Sequence, residues 1–230
     1  RPRRGGTRGG ARARGGGAEL IYAYEAALLL LLLPAAPILL LAWLLGAFGP
    51  RAAALERLRP LARMPAGCVW LHAASVGEVE AASPLASALV ERGVPLVATA
   101  LTLTGRGRLR ARLPGARTRL MPLDLPGLIE LSLSRANVSV VVLVETELWP
   151  ILIHAAHARG ARVIVVGARI SDRSYPRYRL LRAFFAPLLA RVHALGARSA
   201  LDLERFVELG VSRERCSVVG DLKLDRGAAV

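Results

Sequence analysis

Residues Val138-Ser-Val-Val-Val-Leu-Val144 form a run in which Ser139 is the one polar side chain. A strand without a polar face has no side to offer water, so it belongs in the middle of a parallel sheet covered on both faces. Parallel neighbours are joined by crossovers, normally helical ones. The rest of the chain supplies them. Further strands are expected at Cys68–Leu71, Leu96–Ala100, Arg119–Met121, Val163–Val166, His193–Leu195 and Ser217–Val219. Helical spacing of apolar residues falls between them, at Val79–Glu91, Gly105–Leu113, Pro126–Ser134, Pro150–Arg159, Tyr178–Arg191 and Ala200–Leu209. Gly93, Gly160 and Gly210 follow three of these helices, as helix-ending glycines do. The alternation predicts an α/β fold, a Rossmann-like parallel sheet flanked by helices, over residues 67–225.

In such a sheet, ligands bind beyond the carboxyl ends of the strands. Four stretches place chemistry there. In His72-Ala-Ala-Ser-Val-Gly-Glu78, the small-residue turn Ser75-Val-Gly77 brings Glu78 to the start of a helix. Free N–H groups and partial positive charge favour an ionised carboxylate at that end, which suits a general base. The structural alternative is that Glu78 only supports the helix end. In Glu145-Thr-Glu-Leu-Trp-Pro150, two carboxylates follow the most apolar strand. Such groups are costly there unless they are paired or bind a ligand. One of them can position sugar hydroxyls. Otherwise Glu147 caps the next helix and Glu145 pairs with an Arg.

In Gly167-Ala-Arg-Ile-Ser-Asp-Arg-Ser174, Arg169 and Arg173 suit a phosphate or carboxylate held by two hydrogen bonds, unless Asp172 neutralises one of them. In Gly220-Asp-Leu-Lys-Leu-Asp225, Lys223 is the single Lys of the chain, fit for a point-charge contact with an anion.

Other chemistries are absent from the sequence. There is no G-x-G-x-x-G after a strand, no phosphate loop and no G-x-S-x-G elbow. His154 and His157 are three apart on an expected helix, with no third ligand suggested nearby. Cys68 and Cys216 each sit in a strand-like run and read as unpaired, buried thiols. The net charge of +15 comes almost wholly from Arg, without interleaved aromatics or a nucleic-acid motif, so no nucleic-acid partner is expected.

The amino-terminal part has its own organisation. Residues 1–17 are Arg/Gly low complexity and are expected to be a disordered tail. Ala26–Phe48 carries no charge over 23 residues, which is long enough to cross a bilayer. Residues 18–49 therefore read as a membrane-anchor helix, kinked or broken at Pro34 and Pro37, that either spans or dips into one leaflet. Residues 50–66 read as a basic amphipathic connector lying on the membrane surface.

The four motifs stand in the order and spacing of one family, and from Tyr22 to Asp225 the chain resembles the 3-deoxy-D-manno-octulosonic acid (Kdo) transferases of lipopolysaccharide synthesis. The resemblance implies the N-terminal half of a GT-B glycosyltransferase, two Rossmann-like domains facing a cleft, behind a membrane anchor. It implies transfer of Kdo from CMP-Kdo to the tetraacyl disaccharide bisphosphate precursor of lipid A. The expected setting is the cytoplasmic face of the bacterial inner membrane, with inversion at the anomeric carbon and no metal or other cofactor. Glu78 matches the family's catalytic base. Ser75, Gly77, Glu145, Glu147, Arg169, Arg173 and Lys223 fall on motif positions and are assigned to the acceptor or its phosphates. Residues 226–230 read as the start of an interdomain linker, with the nucleotide-sugar domain beyond the chain and the fragment inactive alone. Two alternatives stay open: a non-catalytic, membrane-attached module that binds an anionic lipid-linked sugar, and a related lipid-linked GT-B transferase with another donor.

Overall fold

The computed structural model describes residues 16–44 and 51–222. Most of the Arg/Gly tail, the segment between the first two helices, and Lys223 with everything after it lie outside the described residues.

Seven parallel strands form one sheet: β1 (Cys68–His72), β2 (Leu96–Ala100), β3 (Arg117–Leu120), β4 (Val138–Val144), β5 (Arg162–Ala168), β6 (Ala194–Ala197) and β7 (Cys216–Val218). Their order is β3-β2-β1-β4-β5-β6-β7, so the winding reverses between β1 and β4. The apolar run 138–144 is indeed central, with Val141 against Trp70 on one side and against Val163 on the other. The helices are α1 (Gly16–Leu44), α2 (Arg51–Arg57), α3 (Val76–Glu91), α4 (Leu103–Arg112), α5 (Leu128–Arg135), α6 (Pro150–Ala158), α7 (Tyr175–Leu180), α8 (Arg182–Leu189) and α9 (Ala200–Leu209).

Two apolar layers cover the sheet. In α3, Val79, Ala82 and Ala86 recur at helical spacing and pack, with Leu109 of α4, on Leu71 and Ala98. The opposite layer holds Ile129 of α5, Ile151 and Leu152 of α6, Leu188 of α8 and Phe206 of α9 around Trp70 and Val163. Gly93, Gly160 and Gly210 end α3, α6 and α9 with φ of 72°, 76° and 123°, values that favour glycine.

The expected helix over 178–191 is two helices instead. The chain breaks at Leu181, and Phe184 and Phe185 of α8 turn toward Tyr24 and Tyr178. Cys68 is buried, and burial pushes its thiol up to about 11; Cys216 is half-buried, and both are free.

Residues 45–49 of the expected anchor lie outside the described residues. Among the described residues, no helix is long and apolar enough to cross a membrane. Helix α1 runs through Pro34 and Pro37 without the expected break and begins at Gly16, inside the expected tail. Its early turns dock on the domain: Ile21 is fully buried and Tyr24 and Leu28 pack against the core beside α6 and α8. Spacing of three and seven residues puts these side chains on one helix face, so the domain itself covers that face. Leu29, Leu30 and Leu31 remain exposed.

The connector is likewise tied to the domain and does not form a free amphipathic strip. Glu56 accepts from the Leu120 N–H at 2.8 Å and pairs with Arg106, while the Arg57 guanidinium donates to the Leu101 carbonyl. Arg119 donates to the Pro60 and Arg59 carbonyls, and Leu61 is fully buried. Desolvating those guanidinium groups is offset by the backbone oxygens that their terminal N–H groups reach.

Candidate active site

The reversal between β1 and β4 opens the crevice in which a doubly wound sheet holds its ligand. His72 is the last residue of β1, and Glu145, Thr146 and Glu147 follow β4. Three of the four sequence motifs start from neighbouring strands β1, β4 and β5, so parallel pairing alone gathers them at one end of the sheet.

Glu78 lies in the first turn of α3, with 9% of its surface exposed. Ser75 is the N-cap; its Oγ accepts from the Glu78 N–H at 3.3 Å and donates to Glu78 Oε1 at 2.8 Å. The Ala74 N–H donates to Oε2 at 2.8 Å. This is a capping box whose acidic member reaches back past the cap. Among the described residues each carboxylate oxygen has one hydrogen bond and therefore keeps a lone pair for a proton. Support of the helix and base chemistry are both compatible with this arrangement.

Ser199 and Asp202 make the same kind of box at the start of α9: Ser199 Oγ accepts from Asp202 N–H at 3.1 Å and donates to Oδ2 at 2.6 Å. Asp202 Oδ1 is spent on the Ile170 N–H at 2.9 Å. Only the box at Ser75–Glu78 sits at the reversal point, beside another carboxylate.

Gly77 marks that difference. It is exposed, its φ is not in the left-handed region, and an added Cβ would meet only Ser75 Oγ, at 3.9 Å. The fold has no need of glycine there, and glycine inside a helix costs about 1 kcal/mol relative to Ala. Gly77→Ala is therefore expected to raise stability by about 0.5–1 kcal/mol in a denaturant titration. If an acceptor sugar approaches Glu78 over this turn, the same methyl lowers its affinity. An unchanged acceptor KM would show that no ligand passes there.

Glu147 is a quarter exposed and does not cap α6. Burial raises its carboxyl above the ordinary range, the charge of Glu78 adds to this, the neighbouring Trp149 N–H opposes it, and the charge of Glu145 adds a little more. Glu147 Oε2 lies 3.8 Å from His72 Nε2. Glu145, at a left-handed φ of 59°, pairs with Arg169 at 3.2 Å. The pairing expectation thus holds for Glu145, and Arg169 is half-occupied by it. Asp172 pairs instead with Arg205, so it neutralises neither Arg169 nor Arg173. Arg173 is exposed in the turn before α7 and, among the described residues, has no acidic partner. Lys223 lies outside the described residues. Glu145, Arg169, Arg198 and Leu222 line a shallow cleft beside Gly167, where Leu222 fills the space a side chain would need.

Two residues of this region escaped the sequence reading. Asp124 takes the capping role expected of Glu147: the Ile151 and Leu152 N–H groups of α6 donate to its Oδ2 and Oδ1 at 3.0 and 2.9 Å. A lone acid within Met-Pro-Leu-Asp-Leu-Pro was the available signal. His72 is wholly buried, and burial, with the charge of Arg57 as a smaller contribution and Thr99 opposing, holds its ring down at about 4. Of the helical histidines, His154 stacks edge-on against Tyr22, and His157 faces His193 at 5.8 and 6.0 Å respectively.

The sheet and its reversal point define a doubly wound α/β domain. Its likeness to solved folds agrees: the UDP-GlcNAc 2-epimerase of Neisseria meningitidis superposes with a TM-score of 0.52 at 12% identity, over 69% of this chain and 47% of that one. At that identity the likeness is one of fold. A sequence profile of the family described as 3-deoxy-D-manno-octulosonic-acid transferase (kdotransferase) matches residues 49–226. The chain belongs to this family, within its N-terminal domain.

Among curated relatives, the 3-deoxy-D-manno-octulosonic acid transferase of Bordetella pertussis is 37% identical over 164 residues, covering 68% of this chain and 38% of that protein. The transferase of the same name in Haemophilus influenzae is 32% identical over 68% of this chain and 38% of that protein. A bifunctional glycosyltransferase/methyltransferase of Fusobacterium nucleatum is 33% identical over 67% of this chain and 25% of that protein. The chain thus spans a quarter to two fifths of the length of these relatives.

Proposed function

We propose that this chain is the acceptor-binding half of an inverting GT-B Kdo transferase. The observation that carries the proposal is the Ser75–Glu78 turn. It sets a carboxylate with free lone pairs at the reversal point of the sheet, beside Glu147 and an exposed glycine that the fold does not require.

In this reading, the primary hydroxyl of the lipid A precursor attacks the anomeric carbon of Kdo. Glu78 takes the hydroxyl proton as the new C–O bond forms, and the bond to the CMP phosphate breaks, leaving its electron pair on that phosphate. Exposed Arg173 and half-exposed Arg169 face the acceptor's phosphates, for which guanidinium geometry is suited. Glu147 accepts from a sugar hydroxyl. CMP-Kdo is held by the part of the enzyme that the relatives' additional length provides. The exposed Leu29, Leu30 and Leu31 touch the cytoplasmic leaflet of the inner membrane, where the acyl chains of the acceptor reside.

The experiment is a titration of the chain, in detergent, with the tetraacyl disaccharide bisphosphate and with its dephosphorylated form. Binding to the bisphosphate is expected to be stronger, and Arg173→Ala is expected to weaken it by about tenfold, the effect of one lost charge-assisted contact. Equal affinity for both lipids would remove the phosphate role of Arg173.

A further inference from the structure

Behind the candidate base, the sheet buries a polar chain with one end open. The Trp70 indole N–H donates to Thr99 Oγ1 at 2.9 Å, and the same oxygen lies 2.9 Å from His72 Nδ1. The Thr99 hydroxyl has a single proton. Its other acceptors, the Leu71 carbonyl at 3.4 Å and the Met121 sulfur at 3.7 Å, are both weaker contacts. With the Thr99 proton in the better-formed contact, His72 Nδ1 accepts it and the ring proton sits on Nε2.

Among the described residues, Nε2 is buried and has no hydrogen-bond partner. It points at Glu147 Oε2, 3.8 Å away. The Trp149 ring stands edge-on to His72, with centroids 5.6 Å apart, and its Nε1 is also buried without a well-formed hydrogen bond. A buried donor left open at Nε2, beside a carboxylate that the Trp149 N–H already approaches, is costly unless that carboxylate moves to meet it. Arg57 faces the ring from α2, and Glu78, Glu145 and Tyr178 face Glu147 from the elements around it.

We propose that His72 is a positioning residue of the acceptor site: its Nε2–H, set by the Trp70–Thr99 pair behind it, holds Glu147 beside Glu78 so that Glu147 receives a hydroxyl of the acceptor sugar. The 3.8 Å gap closes to a hydrogen bond when the acceptor is in place. The ring stays neutral throughout and moves no proton in the reaction; it orients a carboxylate as histidine-orienting carboxylates do in reverse.

This inference rests on the reading of Glu147 as facing the acceptor, so its test has two parts. The first needs no activity. Ring-nitrogen NMR of the ¹⁵N-histidine-labelled chain in detergent, with the His72 signal identified by its loss in His72→Gln, is expected to show Nε2 protonated and Nδ1 bare. Glu147→Gln, a change at a partly exposed side chain, is expected to shift the Nε2 signal. The second part uses a chimaera with residues 49–226 in place of the matching segment of the Bordetella pertussis transferase. Glu147→Gln and His72→Gln are each expected to raise the acceptor KM by about tenfold with a smaller change in kcat, and the double variant is expected to be no worse than Glu147→Gln alone. A proton on Nδ1, with ring signals indifferent to Glu147→Gln, would overturn the proposal, whatever the enzyme transfers. Effects of the two substitutions that multiply would also overturn it. If the NMR result holds but KM does not move, the pair exists and Glu147 does not receive the acceptor, which refutes the positioning role.

Discussion

Glu78→Gln is expected to lower the rate of Kdo transfer by about 10²–10⁴-fold, the range over which a positioned base contributes. The same change should leave the fold almost untouched. The Gln carbonyl oxygen can still accept from the Ala74 N–H, and the amide can donate to Ser75 Oγ, so both present contacts of the side chain retain a partner. The cost in stability is then about 1 kcal/mol or less, the difference between a charge-assisted and a neutral hydrogen bond. Initial rates together with a melting curve separate the two effects. A loss of activity matched by loss of folded protein would return Glu78 to a purely capping role, as Asp202 has in α9.

Asp124→Ala is expected to be the most damaging single change to stability near the site. It removes the acceptor of two N–H groups that start α6, where Ile151 and Leu152 are wholly buried. Two groups left without partners cost about 2–4 kcal/mol, or a melting temperature lower by roughly 5–15 °C for a chain of this size.

The pH dependence of Asp124 has a definite sign. Burial, reinforced by Glu130 and Glu25 and opposed by the two N–H groups, raises its carboxyl to about 6. The folded state therefore holds this proton more tightly than the unfolded chain, and stability from this group is lost as pH rises from about 4 to about 6. His72 acts in the opposite direction: its ring is held neutral down to about 4, so its stability is present at neutral pH and is lost as pH falls from 6.5 toward 4. The two dependences oppose each other over almost the same window. Asp124→Asn is therefore expected to make stability rise more steeply with pH between 4 and 6.5 than it does in the unaltered chain. A flatter profile in the variant, by denaturant titration at several pH values, would contradict this assignment.

The strands were the most legible part of the sequence. The run 138–144 has no polar face, and its place at the centre of the sheet follows from that alone. Glu78 and Glu147 were each legible as lying beyond a strand's carboxyl end; that they are neighbours follows from the pairing of β1 with β4. Three features were not. Helix α1 carries a charge-free run from Ala26 onward, and that run does not record that Ile21 and Tyr24, just before it, have a protein surface to pack against. The connector reads as amphipathic because Arg57 is cationic, whereas its guanidinium is used on a backbone carbonyl of the loop after β2. Asp124 caps a helix that begins 26 residues later in the chain, a contact that local pattern does not encode. Each failure came from a long-range partner, and each success from a rule of sheet geometry.

The most direct test is to supply the chimaera carrying residues 49–226 with CMP-Kdo and the tetraacyl disaccharide bisphosphate, and to weigh the lipid product by mass spectrometry. The expected result is lipid heavier by one Kdo from the unaltered chimaera, and none above background from its Glu78→Gln form, although that form still binds the lipid. Product at the same rate from both would contradict the central claim, because the segment would then hold the acceptor without supplying the base.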